Sequence, residues 1–488
     1  MFRLGAFDKT KMLTWALAAG AVAITLMLSK FSSLAMIGAL AVAAIVFLCF
    51  YSLGFCFGLF LLSCTMNQLG FGVGSFHGRP DNFIMIIAFA ALFFHIIVRQ
   101  PKPAFKFILT KETWLIIIYL CYTLVVSRIN SPVWHFSVSG ILQLAMSTLS
   151  LVLITQLYNM KNDIYKYINW YVALGLIQTV YGLICYAYYT ATSRYLFEDT
   201  LNGLMTGQLG TSVSVRGTFF EANLFSSFIG CTFLLIISVM TLKGSKSKLL
   251  YNVGNIILLL AGITLGWTRS VWLGLVVCLL ILFMYFGKKF MKPKTIFSVV
   301  GIVVCFIPVY YIIQSSFNQT SGVENLFASK INNFFQTDGG SNAFRVDNAV
   351  TTLNDWKLAP VLGRGYFSMK FMGDGAWIIS SPLAILHDTG IIGSIIMLSL
   401  VLVVIFDSIR SIARSRDVRH RTYLIGMFSG FILNLIATCF TTAHTLSMFW
   451  VHMGLLIVLN RLTDKRLENK EIAGTKPADA ASLQPNIS

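Results

Sequence analysis

The sequence predicts an all-α, polytopic transmembrane helical bundle of 12–14 spans, and three observations predict it. Of its 488 residues, 56% are apolar and only 11% are charged, about half the charge of an ordinary soluble chain. Apolar stretches of roughly 16–25 residues, long enough to cross a hydrocarbon core, recur along the chain. Lys and Arg alternate between the two sides of those stretches, as the cytoplasmic bias of basic residues requires.

In chain order the candidate spans lie near 13–28, 34–50, 53–65, 83–98, 113–127, 137–157, 167–189, 219–242, 250–266, 270–286, 296–314, 389–406, 422–440 and 444–460. The third, LGFCFGLFLLSC, is short and glycine-rich, which opens the lower counts. The first follows a basic start and runs straight into the second, so it reads as a retained span and not a cleaved leader. With the N-terminus inside, the segments 1–12, 99–112, 158–166, 243–249, 287–295, 407–421 and 461–488 hold 26 of the 37 Lys and Arg. Both termini are then cytoplasmic, in a bacterial cytoplasmic membrane. The net charge of +18 sits in short turns such as GKKFMKPK, where topology and anionic headgroups account for it without nucleic acid. The nine cysteines fall in or beside apolar stretches and form no C-x-x-C pair. They read as small core residues, not as a disulfide or metal framework.

Residues 1–462 form one transmembrane domain, and the polar segment 463–488 reads as a disordered cytoplasmic tail. Two outer connections are long, about 190–218 and about 315–388. Within the second, Ser341 is a possible N-cap, and Val346, Ala349, Val350, Leu353 and Trp356 recur at helical spacing until Pro360. That pattern predicts an amphipathic helix lying on the membrane surface. Away from their ends the spans hold almost no Asp, Glu, Lys or Arg. Ion-coupled transporters need titratable groups near the midplane, so the pattern favours chemistry at the outer face.

Four outer basic residues stand in motif-like settings: Arg216 in SVRGTFFEANLF, Arg269 in GWTRSVWLG, Arg345 in NAFRVDN and Arg364 in VLGRGYF. A guanidinium beside glycine suits bidentate capture of phosphate oxygens, each contact contributing about 1.5–3 kcal/mol. Plainer roles are open to each. Arg269 and Arg216 also fit interfacial snorkelling and helix orientation, Arg345 a solvated helix face, and Arg364 a tight turn. His77, His135 and His444 face the outside by this topology, whereas His95 and His452 read as structural. Trp267, Trp272 and Trp377 fit an interfacial belt as well as a sugar-stacking platform.

In this order RGTFFEANLF, TLGWTRSVWLGL, FRVDNAVTTLNDWKLAPVLGRGYF and LAILHDTGIIGSIIML resemble the O-antigen ligase and polymerase superfamily of bacterial envelope polysaccharide assembly, over about 210–406. The resemblance implies a metal-independent glycosyltransferase without cofactor, using lipid-linked sugars outside the cytoplasmic membrane. Arg216 and Arg269 would bind the donor pyrophosphate, with Arg345 and Arg364 as further candidates for that anion or the glycan. Where the ligase branch carries a His-Asn pair, this chain has Ile379-Ser380, which favours a polymerase. The chain also resembles Gram-positive teichuronic-acid polymerases. The base candidates are His387, Asp388 and Glu221; Asp388 and Glu221 also fit helix-start positions. The implied partners are a polyprenyl-pyrophosphate-linked oligosaccharide, the bilayer, a flippase and a chain-length regulator. A lipid-linked oligosaccharide flippase, or a ligase to another acceptor, is the alternative.

Overall fold

The computed structural model describes residues 33–73, 76–99, 107–159, 163–197, 202–206, 213–242, 246–290, 340–373 and 377–474. The stretches predicted to span at 13–28 and 296–314 lie outside the described residues. The rest is a helical bundle: α1 (Ser33–Tyr51), α2 (Leu53–Thr65), α3 (Pro80–Arg99), α4 (Lys111–Asn130), α5 (Trp134–Asn159), α6 (Ile164–Thr192), α7 (Ala222–Met240), α8 (Lys246–Leu265), α9 (Arg269–Phe290), α10 (Gly340–Trp356), α11 (Ser381–Arg414), α12 (Val418–Thr438) and α13 (Ser447–Gly474). Eight of these are long and apolar enough to cross a membrane. Two short antiparallel hairpins complete it: β1 (Phe71–Val73) with β2 (Phe76–Gly78), and β3 (Leu204–Thr206) with β4 (Val213–Val215), the latter registered Leu204 to Val215.

The two ends of the bundle are built differently. At the basic end, Thr110, Asp163 and Asp417 cap α4, α6 and α12 by accepting backbone N–H bonds, which satisfies donors a helix start leaves open. At the opposite end, assigned to the exterior by the charge pattern, the N-cap residues Glu221 of α7 and Ser380 of α11 make no such side-chain bond. The helix-start dipoles there remain open to other anions.

The most enclosed spans are α7 and α12, which pack on each other and on α9. Ser227 Oγ donates to Asn434 Oδ1 across that seam at 2.7 Å. Phe225, Phe228 and Ile229 of α7 and Phe431 and Leu433 of α12 are buried in the same core. Because lipid tails are as apolar as these side chains, close packing and interhelical hydrogen bonds hold such spans together.

Three boundaries differ from expectation. Helix α10 starts at Gly340, so Ser341 lies within the first turn and not at the cap. Helix α11 begins at Ser381, eight residues before the expected span at 389–406, because Gly390 breaks it and a short arm precedes the membrane-crossing part. Helix α13 continues to Gly474, so residues 463–474, expected in the disordered tail, are helical. An apolar span that runs on through good helix formers extends easily past the hydrocarbon edge. Residues 475–488 lie outside the described residues.

Candidate functional site

Two clusters of charged side chains at the outer end are each assembled by an irregular piece of backbone. The first forms where α8, α9, α7 and the α12–α13 connection meet. Only Gly266, Trp267 and Thr268 separate α8 from α9, and Trp267 takes the left-handed conformation (φ 50°). A non-glycine residue held there costs about 1–3 kcal/mol and persists only where its surroundings fix it. Here Thr268 Oγ1 lies 3.2 Å from Ser226 Oγ, and Trp267 packs its ring at 6.4 Å from Trp272. The turn is thereby clamped to the start of α7, with Arg269 at the head of α9.

Glu221 is fixed from both directions. The segment before it is pinned: the Phe220 N–H donates to Asn67 Oδ1 at 2.6 Å, the Thr218 N–H to Gln178 Oε1 at 3.0 Å, and Thr218 Oγ1 to Thr65 O at 2.9 Å. Thr441 Oγ1, on the α12–α13 connection, donates to Glu221 Oε2 at 3.2 Å. Arg345, near the start of α10, donates through Nη1 to Phe440 O at 2.6 Å and feels the charges of both Glu221 and Arg269. Burial pushes the Glu221 carboxyl above its ordinary range, against the Thr441 bond and the Arg345 charge. Burial likewise pushes the Arg345 guanidinium down. Arg345 thus stands within reach of one carboxylate and one further guanidinium.

Arg216 sits apart from that trio. Its Nε donates to Asn202 O at 3.1 Å and its Nη1 to Phe220 O at 3.3 Å, which ties the β3–β4 hairpin to the segment leading into α7. Burial lowers its pKa, and the nearby Tyr195 and Tyr181 partly counter this.

The second cluster surrounds the break in α11. Gly390 has φ 63° and ψ −165°, a combination open in practice only to glycine. The interruption leaves two carbonyls and two N–H groups without helical partners, and residues 360–365 supply them. The Arg364 and Gly365 N–H groups donate to His387 O (2.8 Å) and Asp388 O (2.9 Å); the Ile391 and Ile392 N–H groups donate to Pro360 O (3.0 Å) and Val361 O (3.3 Å). The fit is close: a Cβ on Gly363 would lie 2.4 Å from the Gly390 nitrogen. Backbone of this kind at membrane depth is tolerated where protein satisfies it.

The break also lets adjacent side chains meet. His387 Nδ1 lies 2.7 Å from Asp388 Oδ1, and its Nε2 lies 2.8 Å from Asp355 Oδ2 on α10. Arg364 Nε donates to the same Asp355 oxygen at 3.1 Å, and Asp388 Oδ2 accepts the Phe367 N–H at 3.1 Å. Burial works to raise the Asp355 carboxyl, but bonds and charge from His387 and Arg364 prevail and hold it below the ordinary range. Both imidazole nitrogens thus face carboxylates. Asp355 was not among the sequence candidates; its signal was an acid on the amphipathic helix nine residues before the glycine-flanked Arg364.

The remaining histidines divide as follows. His95 and His452 bond Phe50 O, Tyr171 and Met427 O, as structural residues do. His135 is exposed on α5 and His77 falls in β2. His444 is buried in the α12–α13 connection.

Residues 254–398 match the family model described as O-antigen ligase. That region, which contains Arg269, Arg345, Asp355, Arg364, His387 and Asp388, is what the chain shares with the O-antigen ligases. The chain is accordingly a multi-pass membrane protein with an O-antigen ligase-like region. Comparison with curated proteins returned no match.

Proposed function

We propose that the protein is a polysaccharide polymerase that joins polyprenyl-pyrophosphate-linked repeat units at the outer face of the cytoplasmic membrane. The observation that carries this reading is Arg345 grouped with Arg269 and Glu221 near the start of α7, which no side chain caps. Two guanidiniums and an open helix dipole suit a diphosphate. Exposed Phe220, Phe344 and Phe440 nearby give an attached prenyl chain an apolar path. Arg216, just before this turn, adds positive potential at its rim.

The reaction is one displacement. The acceptor hydroxyl oxygen attacks the anomeric carbon of the donor, the bond from that carbon to the pyrophosphate breaks, and the hydroxyl proton passes to Glu221. Polyprenyl pyrophosphate leaves, its charge held by Arg269 and Arg345, and the anomeric configuration inverts. Among the three base candidates Glu221 fits best. It lies near Arg345, and burial raises its carboxyl towards the pH at which a base works well. His387 has both ring nitrogens engaged by carboxylates. We assign His387, Asp388 and Arg364, with Asp355, to holding α10 against the broken α11. The positive charge comes from arginine, so the mechanism uses no metal or other cofactor.

Replacing Arg269 by Ala tests this directly. The variant should reach the membrane at normal abundance, while chain growth falls by about 10²–10³-fold, the usual effect of losing one donor to a developing anion. Single lipid-linked repeats should accumulate at the outer face. Normal polymer from Arg269→Ala sinks the donor site. Repeats trapped on the cytoplasmic side after gene deletion indicate a flippase, and full-length lipid-linked chains awaiting transfer indicate a ligase.

A further inference from the structure

We propose that a second polar pole, built around Arg79, binds the sugar hydroxyls of the acceptor substrate; this rests on the polymerase reading. Arg79 immediately precedes α3 and lies outside the region matched to the family. Its side chain is only 12% exposed and that of Asp81 2%. Arg79 Nη2 donates to Ser147 Oγ at 3.0 Å and to Thr445 O at 3.1 Å. Its Nε lies 3.4 Å from Asp81 Oδ1, yet neither atom has a hydrogen-bond partner among the described residues. Ser447 Oγ donates to the other Asp81 oxygen.

The surroundings repeat the pattern. Asn82 Nδ2, His444 Nδ1 and Tyr366 Oη are buried and also lack partners among the described residues. Tyr366 is near enough to feel the charge of Arg79. Buried polar groups are nearly always bonded to something, and several orphans in one neighbourhood call for a ligand or water. Ser147 lies thirteen residues into α5, about 20 Å along the helix axis, so the Arg79 side chain bonds well below the first turns of that helix.

The chemistry favours a neutral polyol over a second phosphate. A phosphate on Arg79 would face the Asp81 carboxylate, whereas a hydroxyl donates to the carboxylate and accepts from the guanidinium. Tyr366 stacks on Phe367 at 4.8 Å between ring centres, and the Phe367 ring packs on Gly140 of α5, the helix that carries Ser147. Access comes at the partly exposed guanidinium edge, and the enclosed groups behind it meet the ligand as it seats. One loop joins this pole to the donor site: Phe440 O holds Arg345, Thr441 bonds Glu221, and Thr445 O holds Arg79. A sugar on Arg79 therefore presents its hydroxyls from the same loop that positions the base.

The test uses the full-length protein in detergent and two probes: geranylgeranyl pyrophosphate, and the free repeat-unit oligosaccharide released from the lipid-linked pool of cells lacking the gene. The double substitution Arg79→Gln, Asp81→Asn avoids leaving one buried charge alone. It should weaken oligosaccharide binding by roughly tenfold or more and leave geranylgeranyl pyrophosphate binding unchanged; Arg269→Ala should do the reverse. Ser147→Ala, which removes one bond to Arg79, should give a smaller loss of the same kind if the double variant does not fold. Wild-type oligosaccharide binding in the folded double variant and in Ser147→Ala overturns the subsite. So does a wild-type protein that binds the pyrophosphate but not the oligosaccharide. A wild-type protein that binds neither overturns the polymerase reading as well.

Discussion

Arg345 and Asp355 lie ten residues apart on α10, about 15 Å along its axis, and each belongs to a different kind of charged cluster. Around Asp355, two carboxylates meet one guanidinium and one imidazole, and every member bonds another. Around Arg345, two guanidiniums meet one carboxylate, and the bond from Arg345 goes to a backbone carbonyl. The first arrangement is closed on itself and joins two helices. The second is short of negative charge and sits by an open helix start. Charge balance is therefore our ground for separating the brace from the proposed binding site, made of the same residue types. We expect substitutions in the two clusters to fail in different ways.

The largest expected effect is on the rate. Glu221→Gln keeps shape and hydrogen bonding but cannot take a proton, so polymer formation should fall by about 10²–10⁴-fold. The wild-type pH–rate profile should show an acid limb above the ordinary carboxylate range, because burial raises this group. Glu221→Asp should retain that limb at reduced rate, and Glu221→Gln should lack it. An unchanged limb in Glu221→Gln hands the base role to another residue.

Next in size is a loss of stability without a change in chemistry. Gly390→Ala forces a side chain into a conformation only glycine tolerates, with Cβ placed 2.3 Å from Val361 O. The brace should weaken by about 3 kcal/mol, seen as a lower unfolding temperature. Protein that remains folded should bind geranylgeranyl pyrophosphate as before. Weaker pyrophosphate binding in that surviving fraction means that the two clusters are coupled and the distinction between them is too sharp.

Much of the bundle was legible because lipid imposes a simple rule: long apolar runs span, and basic turns mark one side. The arginines were legible for the same reason, since a guanidinium on the outer side needs an explanation. The partnerships were not. Nothing in HDTGIIG announces that Gly390 breaks the helix, because glycine occurs in ordinary spans, and the break is what lets residues 360–365 dock. Asp355 looked like one more polar residue on an amphipathic helix until α10 was seen against His387. Arg79 and Asp81 drew no notice, since their partners come from how α3 packs on α5 and meets the α12–α13 connection. Local pattern finds candidates, but tertiary contact decides which of them are bonded to each other.

The smallest expected effect gives the finest test of the comparison, because its sign differs between the clusters. Asp355 is more acidic folded than unfolded, so its ionisation favours folding above the unfolded value near 4. That contribution disappears as pH falls through the lower folded value. Asp355→Asn should therefore destabilise the protein at neutral pH by about 1 kcal/mol, after screening at a partly exposed position, and the gap should close in acid. Glu221 is less acidic folded than unfolded, so its ionisation opposes folding above its unfolded value near 4. Glu221→Gln should accordingly raise the unfolding temperature slightly at neutral pH and leave it unchanged below about pH 4. Melting curves of both variants from pH 3 to 8 decide the matter. If both substitutions shift stability in the same direction at neutral pH, Glu221 is a bracing carboxylate like Asp355, and the excess positive charge beside it is no longer a reason to place the diphosphate there.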